Sequence, residues 1–271
     1  DMEFSATKTI DSLSEEDIEM IFNHLEEEDL KNVLLASKKF HRIICESFKL
    51  MNLFEVQWKG LKKKEADELV KSERKYRNLA VFEVNKLGRS LQRFISSKSS
   101  SLTSFCFNEC KLTLTEIQTV LISSANILEK FSLHSVKLTV DSMAKPIKLL
   151  KLSDLGLSYS KGEGYTAIMP FFINAPVKTF HYEDTKTLSN EFDEIFRIVL
   201  QSFTRLEKLT VFFYLMDILF STPTFTETAK FQCKEIYLWD NSLNSSKDAE
   251  EVYSNILKFL EKQRNSLEVL T

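Results

Sequence analysis

From Tyr76 onward, apolar and polar positions alternate in short bursts that share one frame, Leu-x-x-Leu-x-Leu-x-x-(Asn/Cys)-x-Leu. The frame is clearest in LTSFCFNECKL from Leu102, LEKFSLHSVKL from Leu128 and CKEIYLWDNSL from Cys233. Alternation at period two predicts a short strand whose fourth and sixth template residues point inward. An Asn or Cys at the ninth position can hydrogen-bond the backbone where the strand turns away. Starts at Tyr76, Leu102, Leu128, Ile147, Val177, Leu206, Cys233 and Leu267 give intervals of 26, 26, 19, 30, 29, 27 and 34 residues. Most of these fit a strand followed by a short helix returning on the other side. Helical stripes fall where that arrangement needs them, at Leu87, Leu91, Phe94 and Ile95; at Ile117, Val120 and Leu121; at Phe192, Ile195, Phe196, Val199 and Leu200; and at Val252, Ile256, Leu257 and Leu260. The 19-residue interval has room only for an extended return, consistent with Pro146. Residues 159–176 are the least regular and are expected to carry a protruding loop. The pattern predicts an α/β solenoid over 76–271, a curved parallel sheet with helices on its convex side, in about seven full units and a partial eighth.

Residues 10–57 follow a different period. Ser12 and Ser14 precede Glu15, Glu16 and Asp17, a helix start with acids in its first turn, and Ile18, Ile21, Phe22 and Leu25 then form one apolar stripe. Glu26 to Asp29 interrupts the stripe and opens a second helix with Leu30, Val33 and Leu34. A third carries Phe40, Ile43, Ile44 and Phe48. Three short helices in so few residues cannot bury all these faces among themselves, so the rest of the chain or a partner must cover some of them. Residues 58–75 are dense in charge of both signs and read as a solvated helix linking the two parts.

Composition narrows the function classes. The charge is close to balanced (36 Lys+Arg against 39 Asp+Glu), so nothing global points to a nucleic-acid or anionic-membrane partner. Five Gly and four Pro leave little for phosphate-cradling loops or a long linker, while 22 Phe suit broad apolar faces packed layer on layer. The four cysteines, Cys45, Cys106, Cys110 and Cys233, are too sparse for a disulfide framework and read as reduced thiols of an intracellular protein, cytoplasmic or nuclear. No run of 18 apolar residues spans a membrane, and DMEFSATKT at the N-terminus has no apolar signal core. At the other end LEVLT looks like one more strand; either further units follow Thr271 or this strand closes the row.

Few residues suggest catalysis. The four histidines form no HxxxH pair, Cys106 and Cys110 lack a second cysteine pair for zinc, and Gly162-Glu163-Gly164 is too short for a dinucleotide loop. No metal or cofactor is expected, and no enzyme. The stronger signal is the face presented by template positions three, five and seven. It is small or polar in the early units, basic in the middle (Lys130, Lys151 and Lys208, with His134 and His181) and aromatic at the end (Phe212, Tyr237 and Trp239). Aromatic side chains on an open face are common anchors of binding, so these eight residues are the candidate target-binding set.

The N-terminal unit, IDSLSEEDIEMIFNHLEEEDLKNVLLASKKFHRII, resembles the F-box through Leu13, Glu16, Ile18, Ile21-Phe22, Leu25, Asp29-Leu30 and Ser37-Lys38-Lys39-Phe40. The chain behind it is similar to the leucine-rich repeats that follow F-boxes in one branch of that family. Two positions depart from the pattern: Ser14 stands where the family has Pro, and Asp17 where it usually has an aliphatic residue. The resemblance implies a non-catalytic substrate receptor of a cullin–RING ubiquitin ligase, whose F-box binds the Skp adaptor and through it a cullin, and whose repeat face holds a target protein. Leu13, Ser14, Ile18, Leu25, Leu30, Leu34 and Phe40 sit at its motif positions and are the candidate adaptor contacts, shared with the unit's own core. The alternatives are a scaffold or inhibitor that uses the repeat face alone, and a pathogen or parasite effector borrowing a host ligase.

Overall fold

The computed structural model describes residues 10–159, 165–184, 190–212, 232–239 and 249–270. It is an α/β protein with a nine-stranded sheet in which every neighbouring pair is parallel.

The described residues begin with a 3-10 turn, Ile10–Ser12, and four helices: α1 (Glu15–Phe22), α2 (Glu27–Ala36), α3 (Lys38–Glu46) and α4 (Phe48–Met51). Serines start three of them. The N–H groups of Asp17, Phe40 and Leu50 donate to the hydroxyls of Ser14, Ser37 and Ser47 at 3.1, 3.1 and 3.2 Å, each satisfying a donor that the first turn would leave orphaned. Ser14 also donates to the Asp17 carboxylate at 2.7 Å. The two departures from the F-box pattern therefore form one capping pair, in which hydrogen bonds do the work that a proline ring does by fixing φ. Ile18, Phe22, Leu30, Leu34, Phe40, Ile43 and Ile44 meet in a core, with the Phe22 and Phe40 rings edge-to-face at 5.3 Å. Phe48, expected on the third helix, instead starts α4; its ring is largely exposed and lies 3.2 Å beneath the Arg77 guanidinium.

The sheet begins earlier than the sequence suggests. Strand β1 (Glu55–Trp58) pairs with β2 (Asn78–Phe82), and Val56 and Trp58 alternate into the core. Helix α5 (Lys63–Lys71) between them buries Ala66 and packs on α6 (Arg89–Lys98). The charged stretch 58–75 is thus a return helix of the stack with its charges outward, not a separate connector. Continuing in chain order come β3 (Ser104–Asn108), the short β4 (Lys111–Thr113), α7 (Leu114–Ser123), β5 (Lys130–His134), β6 (Lys137–Thr139) and β7 (Asp154–Tyr159). After these lie α8 (Tyr165–Ile168) with a 3-10 turn Met169–Phe172, β8 (Thr179–Asp184), α9 (Asn190–Ser202), β9 (Lys208–Phe212), β10 (Glu235–Trp239), α10 (Ala249–Gln263) and β11 (Val269–Leu270). β4 and β6 pair in a small second sheet.

One hydrogen-bond pattern fixes the frame. Below each strand a single carbonyl accepts from two successive N–H groups of the next turn of chain, at 2.7–3.0 Å. The accepting residues run Arg77, Thr103, Glu129, Ser153, Lys178, Glu207 and Lys234. This places the fourth unit at Leu152, not Ile147, because Ser153 and Asp154 are the residues that donate to Glu129. The 19-residue interval disappears, although the segment around Pro146 does return without a helix. Above the strands, Glu83, Glu109 and Ser135 turn the chain in the left-handed region at φ of 56°, 53° and 53°. Their N–H groups reach Asn108, His134 and Ser158 carbonyls of the following strands, which holds these non-glycine residues in a costly conformation. At the ninth position the Cys110 thiol donates to the Val81 and Asn108 carbonyls, as the template requires. Val136 has no such side chain, and the Tyr165 hydroxyl substitutes, accepting from Val136 N–H and donating to Ser158 O at 3.2 Å each.

Between sheet and helices the core is a file of rings. Phe107 lies 6.2 Å from Phe131, which lies 5.7 Å from Phe172, and Phe180 meets Phe203 at 5.8 Å. Tyr165, Ile168, Met169, Phe171 and Phe172 are all buried, so the described part of 159–176 packs inward instead of protruding; residues 160–164, with Gly162-Glu163-Gly164, lie outside the described residues. In α9, Ile195 and Val199 are buried as the stripe predicts. In α10 the stripe is corrected: Phe259 is buried and Leu257 is exposed. Gln263, also buried, accepts the Cys233 N–H at 2.8 Å and so anchors that helix to the strand start.

Candidate functional site

Two surfaces compete for the role, the outside of the first helices and the open face of the sheet. In the helical head, four of the seven motif residues are core: Ile18 and Leu30 are wholly buried, and Leu34 and Phe40 nearly so. They hold α1, α2 and α3 together and cannot be contact surface without unfolding it. Leu13 and Leu25 are half-buried against that core, and Ser14 is the exposed cap described above. The apolar side chains left exposed on and before α1 and α2 are Ile10 at 44 %, Met20 at 60 %, Leu35 at 87 % and, although the stripe and the motif include it, Ile21 at 42 %. For two of them the signal was present in the sequence. Met20 and Leu35 each follow or precede a stripe residue by one or two positions, and neighbours on a helix lie about 100° apart, so they face away from the stripe.

On the sheet, register sets out the open face in rows. One row reads Glu55, Asn78, Ser104, Lys130, Asp154, Thr179, Lys208, Glu235; the next reads Gln57, Ala80, Cys106, Ser132, Gly156, His181, Thr210, Tyr237. The corrected frame changes the middle. Lys151 precedes β7 and does not stand on this face, and Asp154 takes the place beside Lys130. Lys208 is on the face but its charge is engaged: it sits 2.9 Å from Glu235 and 4.5 Å over the Tyr237 ring, while the Tyr237 hydroxyl donates to Glu235. The Glu235 carboxylate raises the ammonium's pKa and is itself lowered by it. The face is therefore mixed in sign and not basic. Phe212 and Trp239 are opposite each other in register, but their side chains lie outside the described ones, so only Tyr237 of the expected aromatic cluster is placed.

His134 and His181 do come together, on strands either side of β7. Ser158 donates to Glu183 at 3.0 Å, and His181 Nε2 is 3.9 Å from the same carboxylate oxygen. Burial, then the nearby His181, push the His134 pKa below its ordinary 6.5, with Glu183 opposing. A base depressed by folding binds fewer protons in the folded chain than in the unfolded one. Its contribution to stability is full above the unfolded pKa and is lost as pH falls through about 6.5 toward the folded value. In urea titrations the wild-type midpoint should therefore fall more steeply than that of His134→Gln between about pH 7 and about pH 5. Parallel curves would contradict the desolvation of this side chain.

The thiols are unsuited to nucleophilic work. All four cysteines are free of disulfides. Burial raises the Cys45, Cys106 and Cys110 pKa values, and pushes Cys233 up to about 12. Since the thiolate is the reactive form, a maleimide at neutral pH should label Cys45 and Cys106, both half-buried, well before Cys110 and Cys233. Peptide mass mapping checks this, and equal labelling of Cys233 in the folded chain would contradict its burial. Among the described residues no group of three His, Cys, Asp or Glu is placed to hold a metal, and no helix is long and apolar enough to cross a membrane. No known protein family matches the sequence, and neither does any curated protein.

Proposed function

We propose that the chain is the substrate-recruiting adaptor of an SCF-type ubiquitin ligase. In this reading residues 10–57 are an F-box that binds the Skp adaptor, and through it a cullin. The units behind are leucine-rich repeats whose concave sheet face receives a target protein. The chain carries no chemistry of its own; transfer of ubiquitin belongs to other subunits.

The observation that carries the reading is the exposure of Met20, Ile21 and Leu35 on helices whose remaining apolar residues are well packed. Scattered exposed aliphatics are ordinary on protein surfaces. Three on two adjacent short helices, within the segment that carries the F-box motif, are better explained by a second polypeptide lying there. Burying each would contribute about 1.5–3 kcal/mol. The Ser14–Asp17 cap supports the same reading, since it preserves the start of α1 where the family pattern has proline. The sheet offers the second contact: its rows of Asn, Ser, Thr, His and Tyr can hydrogen-bond a target without large desolvation costs.

Mixing the purified chain with the Skp adaptor and weighing the product by light scattering tests the proposal. A one-to-one complex at micromolar concentration is expected; two species that elute independently at that concentration would end it.

A further inference from the structure

The edge of the sheet below β7, β8 and β9 holds a groove of about 680 Å³ that neither the fold nor the proposed function uses. Three consecutive turns of the chain form its walls as they enter their strands: Pro146 to Leu150, Ile173 to Pro176, and Ser202, Thr204 and Arg205. It exists because the turn before β7 returns without a helix. Ile147 and Leu149 of that extended segment are buried, and its backbone is pinned on both sides, Leu150 N–H to Ala125 O at 3.3 Å and Ile147 N–H to Phe171 O at 3.4 Å. Leu150 is left 52 % exposed at the lip.

The charge here has one sign. Lys148 and Arg205 line the groove, and among the described residues no carboxylate does. Both are exposed, and neither makes an ion pair with a described residue. Lys145 and Lys151 flank the segment, also exposed. Glu207, the acid two residues beyond Arg205, is already held between Lys178 at 3.0 Å and Lys234 at 3.3 Å, which keeps its carboxylate pKa low. The groove thus offers unneutralised cations over prolines and aliphatics in a chain whose net charge is −3. A recessed trough crossing three turns suits an extended segment better than a membrane surface, which needs projecting apolar groups around a broad basic plane.

We propose that this groove docks an extended acidic segment of a partner protein, its carboxylates meeting Lys148 and Arg205 and an aliphatic side chain lying against Leu150 and Pro176. The site is separate from both the adaptor surface and the open sheet face, so it stands whether or not the ligase reading does.

The test uses the full chain alone and a fluorescein-labelled nonapeptide of glutamates with two leucines, followed by anisotropy. Binding should weaken at least tenfold in Lys148→Glu/Arg205→Glu, and by less in Leu150→Asn. It should be unchanged in Lys130→Glu, a cation on the open face. The matched lysine peptide should not bind. All three variants replace exposed side chains, and unchanged circular dichroism confirms that they fold. Equal affinity in the double variant would overturn the proposal. So would an equal loss in Lys130→Glu, which would mean attraction to general charge, or binding of phosphatidylserine vesicles through Lys148 and Arg205 in the absence of peptide binding.

Discussion

Glutamate at positions 20 and 35 together is expected to abolish the complex with the Skp adaptor while leaving the chain's own unfolding midpoint nearly unchanged. Both side chains are largely outside the fold, Leu35 at 87 % and Met20 at 60 % exposure, so replacing them removes little packing from the monomer. In a complex each would bury apolar surface worth about 1.5–3 kcal/mol, and glutamate adds the cost of desolvating a charge. The two together should weaken binding by at least about a hundredfold. Ile18→Glu and Leu30→Glu should also lose the complex, but by another route. These residues are wholly buried between helices, so a charge there unfolds the head, and loss of helical circular dichroism will accompany the loss of binding. The pair of outcomes separates contact from core. If the Met20/Leu35 variant keeps wild-type affinity, those side chains are not the adaptor surface.

The second large effect is on stability. Phe131→Ala should cost about 3–5 kcal/mol, a large share of what a domain usually has, because it removes a fully buried ring between Phe107 and Phe172 in the middle of the file. Phe48→Ala is the comparison. That ring is 61 % exposed and its main partner is the Arg77 guanidinium, an interaction worth about 0.5–1 kcal/mol at an exposed site. Urea unfolding of both variants reads the difference, and a Phe131→Ala cost no greater than that of Phe48→Ala would mean that the ring file does not bear on stability.

Seven of the eight frame starts read from spacing stand two residues before a strand, because a strand with one buried face must alternate and a repeated turn must return at a similar interval. The eighth failed for a definite reason. In Ile147-Lys-Leu149-Leu150-Lys-Leu152, several aliphatics offer the same alternation, and Ile147, Leu149 and Leu152 are all buried. What selects Leu152 is the pairing of Ser153 with Glu129 and the close seating of Gly156 on Ser132, where an added Cβ would meet the serine Cβ at 3.2 Å. Neither is visible without the neighbouring strand. That one slip carried Lys151 onto the open face and hid Asp154, which is why the middle of the face looked basic. β1 was missed because Glu55, Gln57 and Lys59 dilute its apolar signal; only Val56 and Trp58 alternate inward. At the helical head most of the motif residues serve as core, Ile18, Leu30, Leu34 and Phe40 among them, since a short helix keeps most of its regular stripe for its own packing.

Hydrogen exchange of the chain with and without the Skp adaptor tests the central claim most directly. Protection should appear across α1 and α2, from Glu15 to Ala36, with the strands from Glu55 onward unaffected. An unchanged exchange pattern in that segment, or protection confined to the sheet, would contradict it.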